Sequence, residues 1–149
     1  MNLSCQKKIF LNGLLNIFLY VLIVLTLNNC KSHEESTYIQ TSSGLQYRIL
    51  KKGTGEKAVK GQEVLVHETM SYRNDSLLFD SRTLPNPVRI KIGASQAIDG
   101  VDEALIGMKI GEIKKLIIPP KLSKRSGEHK FPHPDSILVY KVELIDILK

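Results

Sequence analysis

Residues 98–120 read IDGVDEALIGMKIGEIKKLIIPP and contain a helical pattern followed by a strand pattern. Apolar side chains ahead of Met108 recur at the spacing of one helix face, which predicts a short amphipathic helix. Gly111 predicts a turn, and the apolar run after it predicts a strand that ends at the prolines 119 and 120. The residues with helical spacing are Ile98, Val101, Leu105 and Ile106.

Working outward from this block, the rest of the chain contains mainly strand patterns. Apolar and polar residues alternate over residues 45–49, 64–66 and 88–92, and a long apolar segment covers residues 137–148. The pair Asn74-Asp75 predicts a turn, so residues 63–72 and 77–81 are expected to form a hairpin. These patterns predict an α+β domain in which one helix packs on a mostly antiparallel sheet.

Residues 41–148 resemble the FKBP-type peptidyl-prolyl cis-trans isomerases. The central resemblance is the motif I-x-G-x-x-E-A-L-x-G-M-x-x-G-E in residues 98–112. Further matching pieces follow in the family's order: SGLQY at 43–47, GTG at 53–55, FDS at 79–81 and LVYKVEL at 138–144. The resemblance implies a bent antiparallel sheet of five to six strands wrapped around one short α-helix. It also implies that the irregular residues 121–135 form a flap over the pocket.

The activity that this resemblance implies is rotation about X-Pro peptide bonds. The barrier of ~18–20 kcal/mol comes from amide resonance, so an apolar cup that desolvates and twists the amide can lower it without a nucleophile, a metal or a cofactor. We therefore expect no cofactor. The positions that match the family's catalytic residues are Phe79, Asp80, Ile98 and Tyr140. The positions that match its substrate contacts are Glu68, Val88, Ile90, Ala97, Val101, Leu122, Lys124 and Phe131.

Several of these positions depart from the family pattern, which has aromatic residues where this chain has Glu68, Val88, Val101, Leu122 and Lys124. Smaller aliphatic side chains widen the cup. A carboxylate at position 68 would lie near Asp80 and Asp99, and mutual repulsion would raise at least one pKa unless a cation joins them. The candidate cations are Arg82, Lys124 and Arg125. The alternative is that Glu68 points to solvent from an edge strand.

Histidines suggest two further sites, both weaker. His129 and His133, with Glu128 and Asp135, lie among prolines in a loop and not on one helix face, which makes a metal site a poor interpretation. His67 lies on a strand that alternates with core residues, which favours a hydrogen-bonded sheet histidine over a catalytic one.

The amino terminus carries an export pattern. Lys7 and Lys8 precede an apolar run over residues 9–27, and the run stops at Leu27-Asn28-Asn29-Cys30, which resembles the lipobox of bacterial lipoproteins. We expect a signal peptide at 1–29, a lipidated Cys30 with a polar tether over 30–41, and the isomerase domain at 42–149. The alternative is an uncleaved membrane anchor, because the run nearly reaches the ~20 residues that span a bilayer.

Both alternatives place the domain outside the cytoplasm, in the cell envelope, as a periplasmic or outer-membrane lipoprotein or as an anchored protein. The net charge of +6 is scattered, without a basic stripe interleaved with aromatics, so no nucleic-acid partner is expected. The expected partners are proline-containing unfolded or exported polypeptides and, through the anchor, the membrane; a monomer is expected. The function is predicted to be prolyl isomerisation that assists the folding of exported proteins. The alternative is a catalytically weak chaperone or binding module.

Overall fold

The computed structural model describes residues 37–124, 132–133 and 135–148, which all belong to one compact unit, Ser36–Lys149. The strands are β1 (Ile39–Gln40), β2 (Gln46–Lys51), β3 (Thr54–Lys57), β4 (Glu63–Tyr72), β5 (Leu77–Asp80), β6 (Val88–Lys91), β7 (Lys109–Ile110), β8 (Ile113–Ile118) and β9 (Leu138–Leu148). The helices are α1 (Asp99–Leu105) and α2 (Pro120–Ser123), and a 3-10 helix covers Ser81–Thr83. The predicted signal peptide and Cys30 lie outside the described residues, as do Arg125, Glu128, His129 and Phe131.

Within the described residues, seven strands form one antiparallel sheet, and β3 pairs with β7 in a separate two-stranded ribbon. The order along the main sheet is β1-β2-β8-β9-β4-β5. Strand β6 pairs with the first half of β4, on the same side as β5, which pairs with the second half. The α+β class is confirmed, but the sheet has more strands than the five to six expected. The addition is β1, which forms where the sequence predicted an irregular tether up to residue 41.

Turn chemistry explains the strand connections. The predicted hairpin is confirmed: β4 and β5 pair antiparallel, and Asp75 in the turn between them adopts a φ of 64°. Aspartate and asparagine tolerate this left-handed conformation better than most residues. Gly111, with a φ of 79°, makes the predicted turn between β7 and β8.

The core lies between α1 and the inner face of the sheet, which is the face that α1 covers. Val101, Ala104 and Leu105 are buried on the helix, and Leu116 and Val142 are buried on the central strands. The amphipathic pattern extended one residue too far, because α1 ends at Leu105 and Ile106 is 48% exposed. Among the described residues, none belongs to a helix with the length and apolar character needed to cross a membrane.

Helix α1 runs antiparallel to β8, and this defines two ends of the domain. A Cβ on Gly100, in the first turn of α1, would lie 2.7 Å from Cγ2 of Ile118, the last residue of β8. The carbonyl of Ala104, in the last turn, accepts a hydrogen bond from Lys114 near the start of β8. We call the end with Ile118 and α2 the site end, and the end with the β3–β7 ribbon the ribbon end.

Candidate active site

A row of apolar side chains crosses the inner face of the sheet toward the site end. Met70 on β4 is aligned with Phe79 on β5 and with Tyr140 on β9, and Tyr140 is aligned with Leu116 on β8. Aligned residues on neighbouring strands project from the same face and contact each other. Phe79 and Tyr140, predicted from the family resemblance, are therefore brought to the same surface. Met70 and Leu116 complete the row and were not among the predicted site residues.

The Tyr140 hydroxyl donates a hydrogen bond to the Met70 sulfur at 2.9 Å. Tyr140 is only 3% exposed. Its ring is therefore part of the floor, and its hydroxyl interacts with the protein interior.

Helix α1 supplies the other wall of the site through the residues at its start. Ile98 occupies the position just before the helix, and its carbonyl accepts the amide hydrogen of Val101 at 2.9 Å. Ile98 and Val101 are buried in the same hydrophobic cluster as Tyr140. Since Gly100 has no side chain, this turn approaches Ile118 more closely than any other residue would allow.

The remaining predicted aliphatic contacts divide into two groups. Val88, Ala97 and Leu122 are half-buried and pack against the core cluster, so they border the floor. Ile90 is 3% exposed and aligned with Val64, further toward the ribbon end than Val88 is. It packs within the core cluster, and its contact with a substrate stays a prediction.

Asp80 organises the chain directly after Phe79. Its Oδ1 accepts the amide hydrogen of Arg82 at 2.9 Å, and its carbonyl accepts the hydroxyl hydrogen of Thr83 at 2.7 Å. These bonds cap the 3-10 helix Ser81–Thr83 and turn the chain from β5 toward β6. The carboxylate thereby fixes the backbone that carries the Phe79 ring.

Ser81 fills the gap that this turn leaves beside β4. The residue is fully buried, and its Oγ accepts the amide hydrogen of Glu68 at 2.8 Å and lies 3.2 Å from Nδ1 of His67. The prediction that His67 is a hydrogen-bonded sheet histidine is confirmed. The role of Ser81 was not predicted, although its place after the FD pair is a signal that could have been used.

Glu68 lies on the inner face of the sheet. It alternates along β4 with the buried residues Val66 and Met70, and it is aligned with the buried Val142 on β9. Strand β4 has neighbours on both sides, β9 on one and β5 with β6 on the other. The alternative of a solvent-pointing side chain on an edge strand is therefore wrong.

Two of the predicted cations, Arg82 and Lys124, lie within the described residues. Arg82 pairs with Glu143 on β9. Lys124 is exposed just after α2, and Asp99 is exposed in the first turn of α1. Arg125 lies outside the described residues, so its place in the hypothesis stays a prediction.

A buried ionic group that sequence analysis missed lies on the same inner face. Lys114 is aligned with Val142, which places it in one row with Glu68. Its Nζ donates to the carbonyl of Ala104 at 2.9 Å, and it lies 3.6 Å from a Glu112 carboxylate oxygen and 4.9 Å from the centre of the Tyr47 ring. Burial lowers the pKa of Lys114, and Glu112 partly offsets this. The strand alternation was a usable signal, because it places Lys114 on the same face as Leu116.

Asp102 links α1 to the loop before Ala97. The Gly93 amide bonds to its carboxyl, and Oδ1 is buried without a hydrogen-bond partner among the described residues. Burial raises the pKa of Asp102; the Gly93 bond lowers it, the Asp99 charge raises it further, and Lys60 lowers it. This contact, which the sequence did not predict, fixes the loop against the helix.

The flap is described only in part. It begins with α2, and Leu122 packs from there against the core cluster. His133 is exposed, and its amide N–H donates to the Tyr72 hydroxyl oxygen, with the nitrogen and oxygen 3.4 Å apart. Over residues 37–124, 132–133 and 135–148 no group of three or more His, Cys, Asp or Glu side chains is placed to hold a metal ion. Phe131 lies outside the described residues, so its contact with a substrate stays a prediction.

Comparison with known proteins identifies the family. The sequence model described as FKBP-type peptidyl-prolyl cis-trans isomerase matches residues 54–145. FK506-binding protein 2 of Candida glabrata is 38% identical over 114 residues, covering 72% of this chain and 84% of that protein. The FK506-binding protein of Neisseria meningitidis serogroup B is 35% identical over 105 residues, covering 70% of this chain and 96% of that protein.

Solved structures agree with this assignment. The crystal structure of AtFKBP13 has a TM-score of 0.66 and 28% identity, and the match covers 75% of this chain and 99% of that one. FkpA from Escherichia coli has a TM-score of 0.64 and 27% identity, covering 97% of this chain and 64% of that one. The sequence, the fold and these relatives agree that the chain belongs to the family of FKBP-type peptidyl-prolyl cis-trans isomerases.

Proposed function

We propose that this chain isomerises X-Pro bonds of exported polypeptides at a membrane surface, with the substrate proline seated against the inner-face row and the start of α1. The observation that carries the proposal is the row Phe79, Met70 and Tyr140, with Ile98 and Val101 facing it in one apolar cluster. The neighbouring row on the same face carries Glu68 and Lys114, and the Tyr140 hydroxyl within the row bonds to Met70.

The chemistry requires only such a surface. A planar amide is stabilised by charge separation between its oxygen and nitrogen, and a twisted amide loses part of that separation. Transfer from water to an apolar surface therefore raises the energy of the planar form more than that of the twisted form. A surface complementary to the twisted form lowers the barrier further, and each 1.36 kcal/mol gained at the transition state is tenfold in rate.

In this proposal Phe79 contacts the proline ring, and Asp80 acts as a positioning residue. The carboxylate caps the 3-10 helix that follows Phe79, so its loss would free the backbone that orients the ring. Tyr140 and Val101 form the floor, while Ala97, Val88 and Leu122 border it.

The test is an X-Pro peptide isomerisation assay on Phe79→Ala. We expect kcat/KM to fall about tenfold or more, since about 1.4 kcal/mol of contact with the transition state is removed. Leu77→Ala is the matched control, because Leu77 lies on the same strand and is 63% exposed. Equal kcat/KM for both folded variants, with circular dichroism like that of the parent, would refute the assignment of Phe79.

A second candidate is a binding module or chaperone with slow turnover. The observation that favours it is Glu68, an acid on the inner face where the resemblance implies a tyrosine. Glu68→Tyr, together with the turnover of the parent, separates the two functions. For the isomerase we expect this change to alter peptide affinity and the pH dependence of kcat/KM. Undetectable turnover in the parent, together with suppressed aggregation of an unfolded client, would support the chaperone instead.

The membrane location is proposed from residues 1–30. Lys7 and Lys8 ahead of an apolar run, and a leucine three residues before Cys30, support a lipidated cysteine after export. One acyl chain binds a membrane weakly and two hold it firmly, which diacylation of Cys30 would provide. The competing explanation is an uncleaved anchor.

Metabolic labelling with a clickable fatty-acid analogue tests this location. Cys30→Ser should lose the label and remain at precursor size, while Cys5→Ser serves as the control and should keep it, because the chain has two cysteines. An unlabelled parent, or a label that survives Cys30→Ser, would contradict lipidation. Mass spectrometry that finds the intact amino terminus in the membrane fraction would support the anchor instead.

A further inference from the structure

The ribbon end carries an unusual surface, which we define as residues 50–60 and 106–110. Four aliphatic side chains on it are exposed by about a third to a half: Leu50 at 44%, Val59 at 50%, Ile106 at 48% and Ile110 at 36%. Isolated exposed aliphatics are ordinary, whereas several on one small surface indicate a contact with another apolar phase.

Backbone hydrogen bonds hold two of these residues side by side. The amide of Ala58 donates to the carbonyl of Met108, and the amide of Gly107 donates to the carbonyl of Ala58, each at 2.8 Å. This pairing brings Val59 next to Ile106. The β3–β7 pairing continues the ribbon and aligns Thr54 with Ile110.

The charged residues within this surface are nearly all basic. The surface contains five lysines and a single acid, the exposed Glu56. Apolar tips surrounded by lysines match the interface of an anionic bilayer, where acyl chains lie just below phosphates. The lysines are Lys51, Lys52, Lys57, Lys60 and Lys109.

The chain also enters the domain at this end. In the β1–β2 pairing Gln40 is aligned with Gln46 and Ile39 with Tyr47, so the chain before β1 runs along β2 toward Leu50. The Tyr38 ring, 5.2 Å from the Arg48 guanidinium carbon, continues this path. Six residues separate Cys30 from Thr37, and a chain of this length spans at most about 25 Å.

We infer that the ribbon-end surface docks on anionic lipid, with its aliphatics in the interface and its lysines at the phosphates. The inference rests on the proposed membrane location. Because α1 runs from the site end to the ribbon end, docking in this orientation turns the apolar row and α2 away from the bilayer. The site then faces the clients, and a short tether does not obstruct it.

Tryptophan quenching tests the docking, because the chain has no native tryptophan. Val59→Trp and Leu77→Trp are each made in the full chain and reconstituted in vesicles whose lipids carry bromine on the acyl chains. We expect quenching of Val59→Trp in vesicles that contain phosphatidylglycerol, and less in phosphatidylcholine alone. Leu77→Trp is the control, since it is exposed next to the β4–β5 turn at the site end, and it should remain unquenched.

The lysines are tested in the Val59→Trp background. Each of Lys51→Gln and Lys57→Gln should lower the docking equilibrium constant about fivefold and reduce its salt dependence. Lys141→Gln, an exposed lysine on β9, should leave the docking constant unchanged. Equal quenching of Val59→Trp and Leu77→Trp, or none in either, would overturn the inference. So would an emission shift of Val59→Trp with soluble poly-glutamate and no lipid quenching, which would assign the surface to an acidic protein.

These results are separable from the proposed function. Isomerisation of an X-Pro peptide on the same vesicles and labelling of Cys30 are read independently. Active, acylated protein with an unquenched Val59→Trp would leave the enzyme and its anchor standing and would refute the docking surface alone.

Discussion

Replacing Lys114 by methionine removes a buried ammonium group and keeps a side chain of similar length. The Glu112 carboxylate, as buried as Lys114, would lose the cation 3.6 Å away, and the Ala104 carbonyl would lose its donor. Removing one member of a buried pair is strongly destabilising, because it leaves the other charge desolvated and uncompensated. Replacing both members by neutral groups avoids that penalty.

The expected loss of stability follows from the burial of Lys114 and Glu112. Both side chains are 9% exposed, so solvent and salt screen them weakly. We expect Lys114→Met to lower the free energy of unfolding by about 3 kcal/mol. For a domain of this size that corresponds to a fall of about 10–20 °C in Tm. Lys114→Met combined with Glu112→Gln should recover to within about 1 kcal/mol of the parent, so the coupling energy is about 2 kcal/mol plus the cost of Glu112→Gln alone.

Urea unfolding of the parent, both single variants and the double variant measures this coupling. Lys115→Met is the matched control, because the next residue on β8 projects from the opposite face of the sheet. It should change the free energy of unfolding by about 0.5 kcal/mol or less. Additive single effects, or equal stability of the Lys114→Met and Lys115→Met variants, would refute the buried-pair reasoning.

The stability difference between the parent and Lys114→Met should depend on pH. Burial lowers the pKa of Lys114 in the folded state below its ordinary value of 10.5, so between these two values the unfolded chain binds more protons. The stability of the parent relative to Lys114→Met should therefore rise as the pH increases through this window. A relative stability that falls over the same interval would contradict the direction of the pKa shift.

Three further changes test contacts around the site. Gly100→Ala should lower the free energy of unfolding by about 1 kcal/mol, since overpacking against Ile118 outweighs the gain in helix propensity; a stabilised variant in thermal melts would count against the close approach. Ser81→Ala should cost about 1–3 kcal/mol in urea unfolding, because it removes the buried acceptor of the Glu68 amide, and Ser81→Thr should retain more stability than Ser81→Ala. Asp102→Asn should stabilise the protein at neutral pH, because the raised pKa of Asp102 means that the folded state prefers the neutral carboxyl. The stability advantage of Asp102→Asn over the parent should shrink as the pH falls through the folded-state pKa. A stability difference that does not change with pH would contradict the raised pKa.

Sequence patterns predicted the fold closely because its local signals agree with one another. The turn at Asn74-Asp75, the turn at Gly111 and the apolar alternation of the strands all appear where expected. Strand β1 was missed, because two residues are too short for a period and their pairing with β2 depends on tertiary contact.

The candidate site was predicted less completely, for a physical reason. Family resemblance places Phe79 and Tyr140, but it cannot show that Met70 lies between them, since that depends on the register of three strands. In the sequence, Lys114 is one of many scattered charges. Its burial could have been inferred from its position two residues before Leu116, on the same face of β8.

Contacts at both ends of α1 explain how this site can function without a large aromatic residue on the helix. Val101 offers less contact area than a tryptophan would, so side-chain packing alone holds the first turn less firmly. The close approach at Gly100 fixes that turn against the sheet, and the bond from Lys114 to Ala104 fixes the last turn. Because seven residues form only about two turns, we expect loosening of the last turn to displace Ile98 and Val101 as well. Lys114 is therefore expected to help position the floor, although it lies toward the opposite end of the helix.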